Sequence, residues 1–244
     1  MTEPQRFNLV DGALELAAAS IVGGRVDNQD SWLVDESTGL VVVADGVGGL
    51  PAGATASELV CDTMKRAIAK DRFLDQSVTD ANLALIDQAQ HLGLSQIGST
   101  VVALRWQGPE FRLIWVGDSA AFGVFDGSVR PLTVPHTLAQ AQVSAGTITP
   151  HMARDFPQGN VITQALGVTP PADLKPGLGA GTLLRDERIV LTTDGLLDVL
   201  SETEIAQILC RETSASAGLE QLMAEASARR PRDNVTVVVG RWRG

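Results

Sequence analysis

Residues 40–46 read Leu40-Val41-Val42-Val43-Ala44-Asp45-Gly46. An apolar run rich in β-branched residues predicts a buried strand. The run stops at an Asp-Gly pair, which is typical of a tight turn. Just before it, residues 31–35 predict a second strand, and the Glu-Ser-Thr-Gly sequence at 36–39 predicts the hairpin turn between the two. The fold is therefore expected to include an antiparallel hairpin that ends on an aspartate.

Further strands and helices follow this hairpin along the chain. Strands are predicted at 99–106, 111–116, 121–125, 188–193 and 234–242, with a tight turn at 126–127. Helices are predicted at 54–69, 80–92, 202–212 and 215–229. Ser201 and Glu204 have the spacing of a capping box. Segments 150–159 and 169–181, rich in Gly and Pro, are predicted as loops. Helix pairs after blocks of strands favour an α+β fold over a regular βαβ alternation.

The composition restricts the function classes. A chain of 244 residues can form one domain, expected to span 1–244. The net charge of −10 and the pI near 4.7 argue against nucleic-acid binding, which needs a basic face. No signal segment and no apolar run long enough for membrane insertion is visible. The two cysteines, Cys61 and Cys210, form no zinc or disulfide pattern, so a cytoplasmic location is expected.

Aspartates recur where strongly apolar strands end or begin; they are Asp45, Asp118, Asp194, Asp198 and Asp233. Any one of them could be an ordinary turn or capping residue. Strand ends gather at sheet edges, so these carboxylates could converge, and buried together they would repel unless cations neutralised them. Oxygen ligands of this kind suit Mg²⁺ or Mn²⁺. Two such ions, roughly 3.5–4 Å apart, can share a hydroxide and bind phosphoryl oxygens.

Other catalytic chemistries fit the sequence poorly. Cys61 and Arg66 lie in a predicted helix without the glycines of a phosphate-binding loop. The P-loop pattern is absent, and the glycines at 177–181 do not match the dinucleotide-binding pattern. The histidines are scattered, at His91, His136 and His151, so a histidine-based zinc site has little support.

Eight short motifs, in order over roughly residues 20–240, resemble those of the PP2C-type (PPM) metal-dependent serine/threonine protein phosphatases, bacterial stand-alone type. They are RVDNQD at 25–30, ADGVGGLPAG at 44–53, GST at 98–100, GDS at 117–119, LTVPH at 132–136, ALG at 165–167, TDGLLD at 193–198 and RDNVT at 232–236. The resemblance implies a four-layer αββα sandwich, in which two central antiparallel β-sheets are flanked by helix pairs.

The resemblance also implies roles for individual residues, with two to three Mn²⁺ or Mg²⁺ ions per chain. Asp45 would bridge two metals and act in catalysis, and Gly46 would offer its backbone carbonyl. Asp194 and Asp233 would bind the first metal, and Asp118, Asp194 and Asp198 the third. Asp30 would support a metal-bound water. Arg25 would bind the substrate phosphate, which suits a planar guanidinium. Residues 137–159 would form a mobile flap.

The sequence departs from the family pattern at a few positions. Gln29 replaces a common Glu, which removes one negative charge near the second metal. Ala120 replaces a common Arg after Gly-Asp-Ser, and Pro135 replaces the usual Asp before a histidine. Val47 stands where eukaryotic members have a His proposed as the general acid, so a metal-bound water would protonate the leaving group.

The resemblance leads to one main functional hypothesis and two others. The main one is a monomeric phosphatase that acts on phosphoserine and phosphothreonine of proteins through a metal-bridging hydroxide. It would oppose a cognate Ser/Thr kinase in bacterial signalling, with type VI secretion as one setting. The alternative is a catalytically weak or inactive PP2C-like regulatory binding module. A third interpretation keeps the activity but takes anti-sigma-factor antagonists as substrates.

Overall fold

The computed structural model describes residues 5–8, 14–153 and 155–244. In chain order its elements are β1 (Gln5–Asn8), β2 (Leu14–Ile21), β3 (Asp30–Asp35), β4 (Leu40–Asp45), α1 (Gly53–Ile68), α2 (Leu74–His91), β5 (Val101–Gln107), β6 (Glu110–Val116), β7 (Ala120–Phe125), β8 (Ser128–Pro131), α3 (Leu138–Ser144), α4 (Pro150–Ala153), β9 (Gly177–Thr182), β10 (Arg188–Thr192), α5 (Asp194–Leu197), α6 (Glu202–Arg211), α7 (Ala215–Ala228) and β11 (Val235–Trp242). None of these helices has both the length and the apolar character needed to cross a membrane.

The strands form two sheets. Sheet A has the order β1-β2-β11-β10-β7-β8, and sheet B has the order β3-β4-β5-β6-β9. Every strand pair in both sheets is antiparallel. The predicted hairpin is the β3–β4 pair, in which Leu33 lies opposite Val42.

Three apolar clusters separate four layers. The first, which includes Val42 and Leu85, lies between sheet B and the pair α1 and α2. The second, which includes Val190 and Leu222, lies between sheet A and helices α5 to α7. The third lies between the two sheets and includes Val43, which points away from its neighbour Val42 as strand geometry requires. The order of layers is helix, sheet, sheet, helix, so the predicted α+β sandwich is confirmed.

One predicted loop was wrong at its C-terminal end. Residues 177–181 were assigned to a loop because of their glycines, but they form most of β9, which pairs with β6. A Cβ at Gly177 would lie 2.1 Å from the Trp115 ring, and one at Gly181 would lie 2.8 Å from the Phe111 ring. Large aromatic side chains of β6 therefore occupy the space beside this strand, and only glycine fits at those positions.

Other elements differ from the sequence-based expectations in extent. Helix α2 begins at Leu74, before the predicted start at 80, and the predicted loop 150–159 opens with the short helix α4. Strand β2 was not predicted, because its Leu-Glu-Leu-Ala-Ala-Ala-Ser-Ile sequence is rich in alanine, which has little preference for strands. The short elements β1, β8, α3 and α5 were missed as well.

The predicted capping box at the start of α6 is confirmed. The Oγ of Ser201 accepts from the backbone N–H of Glu204 at 3.3 Å, and the backbone N–H of Ser201 donates to Oε2 of Glu204 at 2.9 Å. Arg229, which follows α7, donates to the other oxygen of Glu204 at 2.7 Å. The box and this ion pair therefore join the start of α6 to the end of α7.

Ser201→Ala should lower the free energy of unfolding by about 1 kcal/mol, because a lost N-cap leaves a helix N–H without its partner. The measurement is urea unfolding at pH 7. Ser227→Ala, at an exposed position inside α7, is the control and should cost nothing, since alanine favours helix interiors. Equal effects of the two changes would contradict the prediction.

Glu204 should make stability depend on pH. The hydrogen bond from Arg229, followed by those from Ser201, lowers the pKa of Glu204 from 4.5 to about 2. A carboxylate with a lower pKa in the folded state stabilises the protein above its unfolded pKa, and this contribution is lost as the pH falls toward 2. Glu204→Gln should therefore reduce stability at pH 7 and show a smaller deficit at pH 3, measured as urea midpoints. A deficit that is the same at both pH values would refute this.

Candidate metal centre

In sheet B, strand pairing places carboxylates side by side. Asp30 and Asp45 lie directly opposite each other in the β3–β4 pair. The carbonyl of Asp45 accepts from the backbone N–H of Thr100 at 2.8 Å, just before β5. Because Val101 of β5 pairs with Val116 at the end of β6, Asp118 follows at the same end of the sheet.

In sheet A, the end of β10 and the start of β11 lie together, because Thr192 pairs with Val237. Asp194 follows β10 and Asp233 precedes β11, so both lie at this end of sheet A. Helix α5 begins at Asp194, and Asp198 is its C-cap, one turn further on. The predicted aspartates of sheet A are therefore also close together.

Two threonine hydroxyls join the ends of the two sheets. Thr193 donates its Oγ1 proton to Oδ2 of Asp30 at 2.9 Å, and Thr236 donates to the same oxygen at 2.7 Å. Both threonines belong to the sheet A side and are fully buried, whereas Asp30 opens β3 of sheet B. These threonines were missed in the sequence analysis, although each stands beside a predicted aspartate or strand end, where a hydroxyl could have been suspected.

The carboxylates are close enough to repel one another. Burial, followed by the charges of Asp30, Asp194, Asp118 and Asp233, raises the pKa of Asp45 well above its usual value. The pKa of Asp194 is raised to about 7, first by burial and then by Asp118 and its other acidic neighbours. Burial also raises the pKa of Asp30 and of Asp118 to about 6. These mutual effects indicate that the predicted aspartates lie near one another at this end of the two sheets, and the role of each remains a prediction.

The residues present fit a hard divalent cation. Oδ1 of Asp30 and Oδ1 of Asp194 are buried and lack hydrogen-bond partners among the described residues. Buried carboxylate oxygens without donors are costly unless a cation satisfies them. Within the described ranges, however, no group of three or more His, Cys, Asp or Glu side chains is arranged to hold a metal ion. Asp233 is engaged by Arg25, so cation binding would require side-chain rearrangement.

Arg25 forms a bidentate salt bridge with Asp233. Its Nε donates to Oδ1 at 2.8 Å and its Nη2 donates to Oδ2 at 2.6 Å. The side chain of Arg25 is half exposed, and its pKa is raised by Asp233 and, less strongly, by Asp45 and Asp194. Arg25 therefore lies at the mouth of the aspartate site, where a charged ligand could reach its guanidinium.

Gly46, which follows β4, is held closely against helix α1. The N–H of Gly46 donates to the carbonyl of Gln29 at 3.0 Å. A Cβ at position 46 would lie 2.3 Å from the carbonyl oxygen of Gly53, the first residue of α1, so only glycine fits. The side chain of Gln29 in turn contacts Gly53, where an added Cβ would lie 2.8 Å from the amide. Metal binding by the Gly46 carbonyl remains a prediction.

His136 supports the turn that presents Asp118. Its Nδ1 accepts from the N–H of Gly117 at 3.2 Å, and its own backbone N–H donates to the carbonyl of Gly117 at 2.8 Å. The imidazole lies near the Trp115 ring, with centroids 6.4 Å apart, and burial lowers its pKa. Gly117 has a φ of 102°, a conformation that favours glycine. The histidine therefore has a structural partner rather than a place among the carboxylates.

The comparisons with known proteins all indicate the same protein family. A family model described as protein phosphatase 2C matches residues 22–227. The serine/threonine protein phosphatase PstP of Mycobacterium tuberculosis is 32% identical over 226 residues, which are 88% of this chain and 42% of PstP. The serine/threonine phosphatase stp of Listeria welshimeri is 28% identical over 89% of this chain and 87% of its own length.

Solved structures agree with this similarity. A crystal structure of PstP matches with a TM-score of 0.84 at 30% identity and covers 95% of this chain and 100% of that one. The PstP catalytic domain in complex with two manganese ions matches with a TM-score of 0.81 at 29% identity, over 95% and 99% of the chains. PppA, described as a key regulatory component of T6SS in Pseudomonas aeruginosa, matches with a TM-score of 0.80 at 28% identity, over 94% and 97%.

Asp194→Asn should stabilise the metal-free protein, because it removes one charge from a mutually repelling group. We expect a gain of about 1 kcal/mol, or a rise in melting temperature of roughly 2–4 °C in EDTA. The same variant should lose most of the stabilisation that Mn²⁺ gives to the wild type. Asp126→Asn, in the exposed β7–β8 turn, is the control and should change neither value. A variant that is less stable in EDTA and still responds fully to Mn²⁺ would contradict the proposed cluster.

Proposed function

The chain belongs to the protein phosphatase 2C family and is a metal-dependent serine/threonine protein phosphatase, and from that premise we propose that it hydrolyses phosphoserine and phosphothreonine at the aspartate site. The family resemblance of the sequence motifs is thereby confirmed. The observation that supports the proposed site most strongly is geometric: Asp45 lies opposite Asp30, and the hydroxyls of Thr193 and Thr236 join Asp30 to the end of sheet A. Asp194 and Asp233, which are remote from Asp45 in sequence, lie at that end of sheet A. The presence of these acids argues against an inactive binding module.

Asp45, Asp194 and Asp233, with the Gly46 carbonyl, would hold two divalent cations, and Asp118 and Asp198 would complete a third site with Asp194. Bound cations would supply Lewis acidity, which lowers the pKa of water and withdraws charge from phosphoryl oxygens. The unpaired buried oxygen of Asp194 and an all-oxygen donor set support Mn²⁺ or Mg²⁺. The similar PstP domain that contains two manganese ions supports the same choice.

The remaining residues would position the substrate and the attacking water. The guanidinium of Arg25 donates two parallel hydrogen bonds to the carboxylate of Asp233. The same pair of N–H donors could bind two oxygens of a phosphoryl group. Asp30 is held by two threonine hydroxyls through Oδ2, and its buried Oδ1, which accepts from no donor among the described residues, would orient a water. Val47 has no proton to give, so water would protonate the leaving serine or threonine oxygen.

We also propose a cellular setting for the enzyme. We place the enzyme opposite a Ser/Thr kinase in bacterial signalling, and the likeness to PppA supports a role in type VI secretion. The free cysteines, Cys61 and Cys210, fit a reducing cytoplasm. Residues 137–159, which include α3 and α4, would form a flap that contacts the protein substrate. The unit would act as one domain and as a monomer.

Asp45→Asn and Asp194→Asn should each reduce Mn²⁺-dependent hydrolysis by at least about 100-fold, because each removes a charge that holds the cations. The measurement uses a chromogenic phosphate ester and a phosphothreonine peptide, with Mn²⁺ and then with EDTA. Asp126→Asn is again the control, with wild-type rates expected. Full activity of either site variant, or wild-type activity in EDTA, would overturn the assignment.

A further inference from the structure

The segment that bears Arg25 has little structure of its own. Residues 22–29 join β2 to β3 outside any helix or strand, and most of their side chains are exposed. The hydrogen bond from the N–H of Arg25 to the carbonyl of Val22 is long, at 3.4 Å. A phosphate-binding arginine on such a segment needs support from elsewhere, because a displacement of about 1 Å can cost roughly 100-fold in rate.

The side chain of Asn234 supplies three hydrogen bonds to this segment. Its Oδ1 accepts from the N–H of Gln29 at 2.8 Å, and its Nδ2 donates to the carbonyls of Val22 at 2.7 Å and Asp27 at 3.1 Å. Asn234 is 3% exposed, so these bonds form largely out of water. The buried amide of Asn234 is therefore hydrogen-bonded to both ends of the segment 22–29.

The backbone beside Asn234 supports the same segment. A Cβ at Gly23, which has a φ of +62°, would lie 2.0 Å from the carbonyl oxygen of Asp233. Oδ1 of Asp233 accepts both from Nε of Arg25 and from the N–H of Asn234, each at 2.8 Å. The segment therefore rests directly on the turn that leads into β11, and Asn234 lies at the centre of the contact.

We propose that Asn234 is the positioning residue for Arg25: its amide fixes the 22–29 segment so that the guanidinium stands over the aspartate site. The proposal rests on the proposed function in taking Arg25 as the phosphate-binding group. Asn234 does not touch the substrate and acts through the segment. Asparagine suits the position because it both accepts and donates, whereas aspartate would keep the acceptor and lose the two bonds to carbonyls.

A double-mutant cycle tests this coupling. Wild type, Asn234→Ala, Arg25→Ala and the double variant are assayed on a chromogenic phosphate ester at saturating Mn²⁺. Asn234→Ala should lower kcat/KM roughly 10- to 100-fold, mainly through KM, and should lower it less than about 3-fold when Arg25 is already alanine. An equal loss in both backgrounds would overturn the proposal.

Mn²⁺ affinity, measured by calorimetry, should stay within about 3-fold of wild type, and a larger loss would mean that Asn234 acts through the metals instead.

Amide hydrogen exchange gives a readout that does not depend on activity. Protection of the 22–29 amides should fall in Asn234→Ala, and also in Asn234→Asp, which serves if the alanine variant folds poorly.

Asn82→Ala is the matched control, since Asn82 is a buried asparagine whose Oδ1 accepts from the N–H of Gly167 and whose Nδ2 donates to the carbonyl of Thr169. It should leave both KM and the 22–29 protection unchanged. Unchanged protection in the Asn234 variants would refute the positioning role, whereas an inactive wild type with the expected exchange pattern would refute only the proposed function.

Discussion

Mutual repulsion among buried carboxylates is the constraint on which this molecule depends. Asp30, Asp45, Asp118 and Asp194 lie where burial and neighbouring negative charges make ionisation costly. Such a group lowers stability in the free protein and becomes favourable when cations are bound. The arrangement supports the proposed cation site, since packing alone would favour apolar side chains there.

The two sheets provide the rigidity that keeps these groups together. In antiparallel sheets, the end of one strand lies beside the start of its neighbour, so residues far apart in sequence arrive at one edge. The three apolar clusters hold the layers in place, and the hydroxyls of Thr193 and Thr236 connect sheet A to Asp30 of sheet B. The carboxylates cannot move apart to relieve their repulsion without disturbing this packing.

The proposed substrate-binding arginine, Arg25, is positioned by a loop segment and not by the sheets. Arg25 lies outside the sheets, on a segment held by the amide of Asn234, and pairs with Asp233. Asp233 is also one of the proposed cation ligands, so the proposed metal site and the proposed phosphate-binding arginine share one carboxylate.

The sequence by itself determined the features that depend on local chemistry. Runs of β-branched residues specified most strands, the Ser201 and Glu204 spacing specified a helix start, and the Asp-Gly pairs marked the strand ends where Asp45 and Asp194 lie. Each of these signals lies within a few residues of the chain, so no knowledge of distant contacts was needed.

Tertiary structure alone decided the rest. Gly177 and Gly181 belong to a strand only because the rings of Trp115 and Phe111 fill the space beside them, and the alanines of β2 form a strand because β11 pairs with it. The hydrogen bonds from Asn234 to the Arg25 segment likewise cross some 200 residues of sequence. Contacts of this kind form only when remote segments meet in the folded chain, so a local sequence pattern cannot predict them.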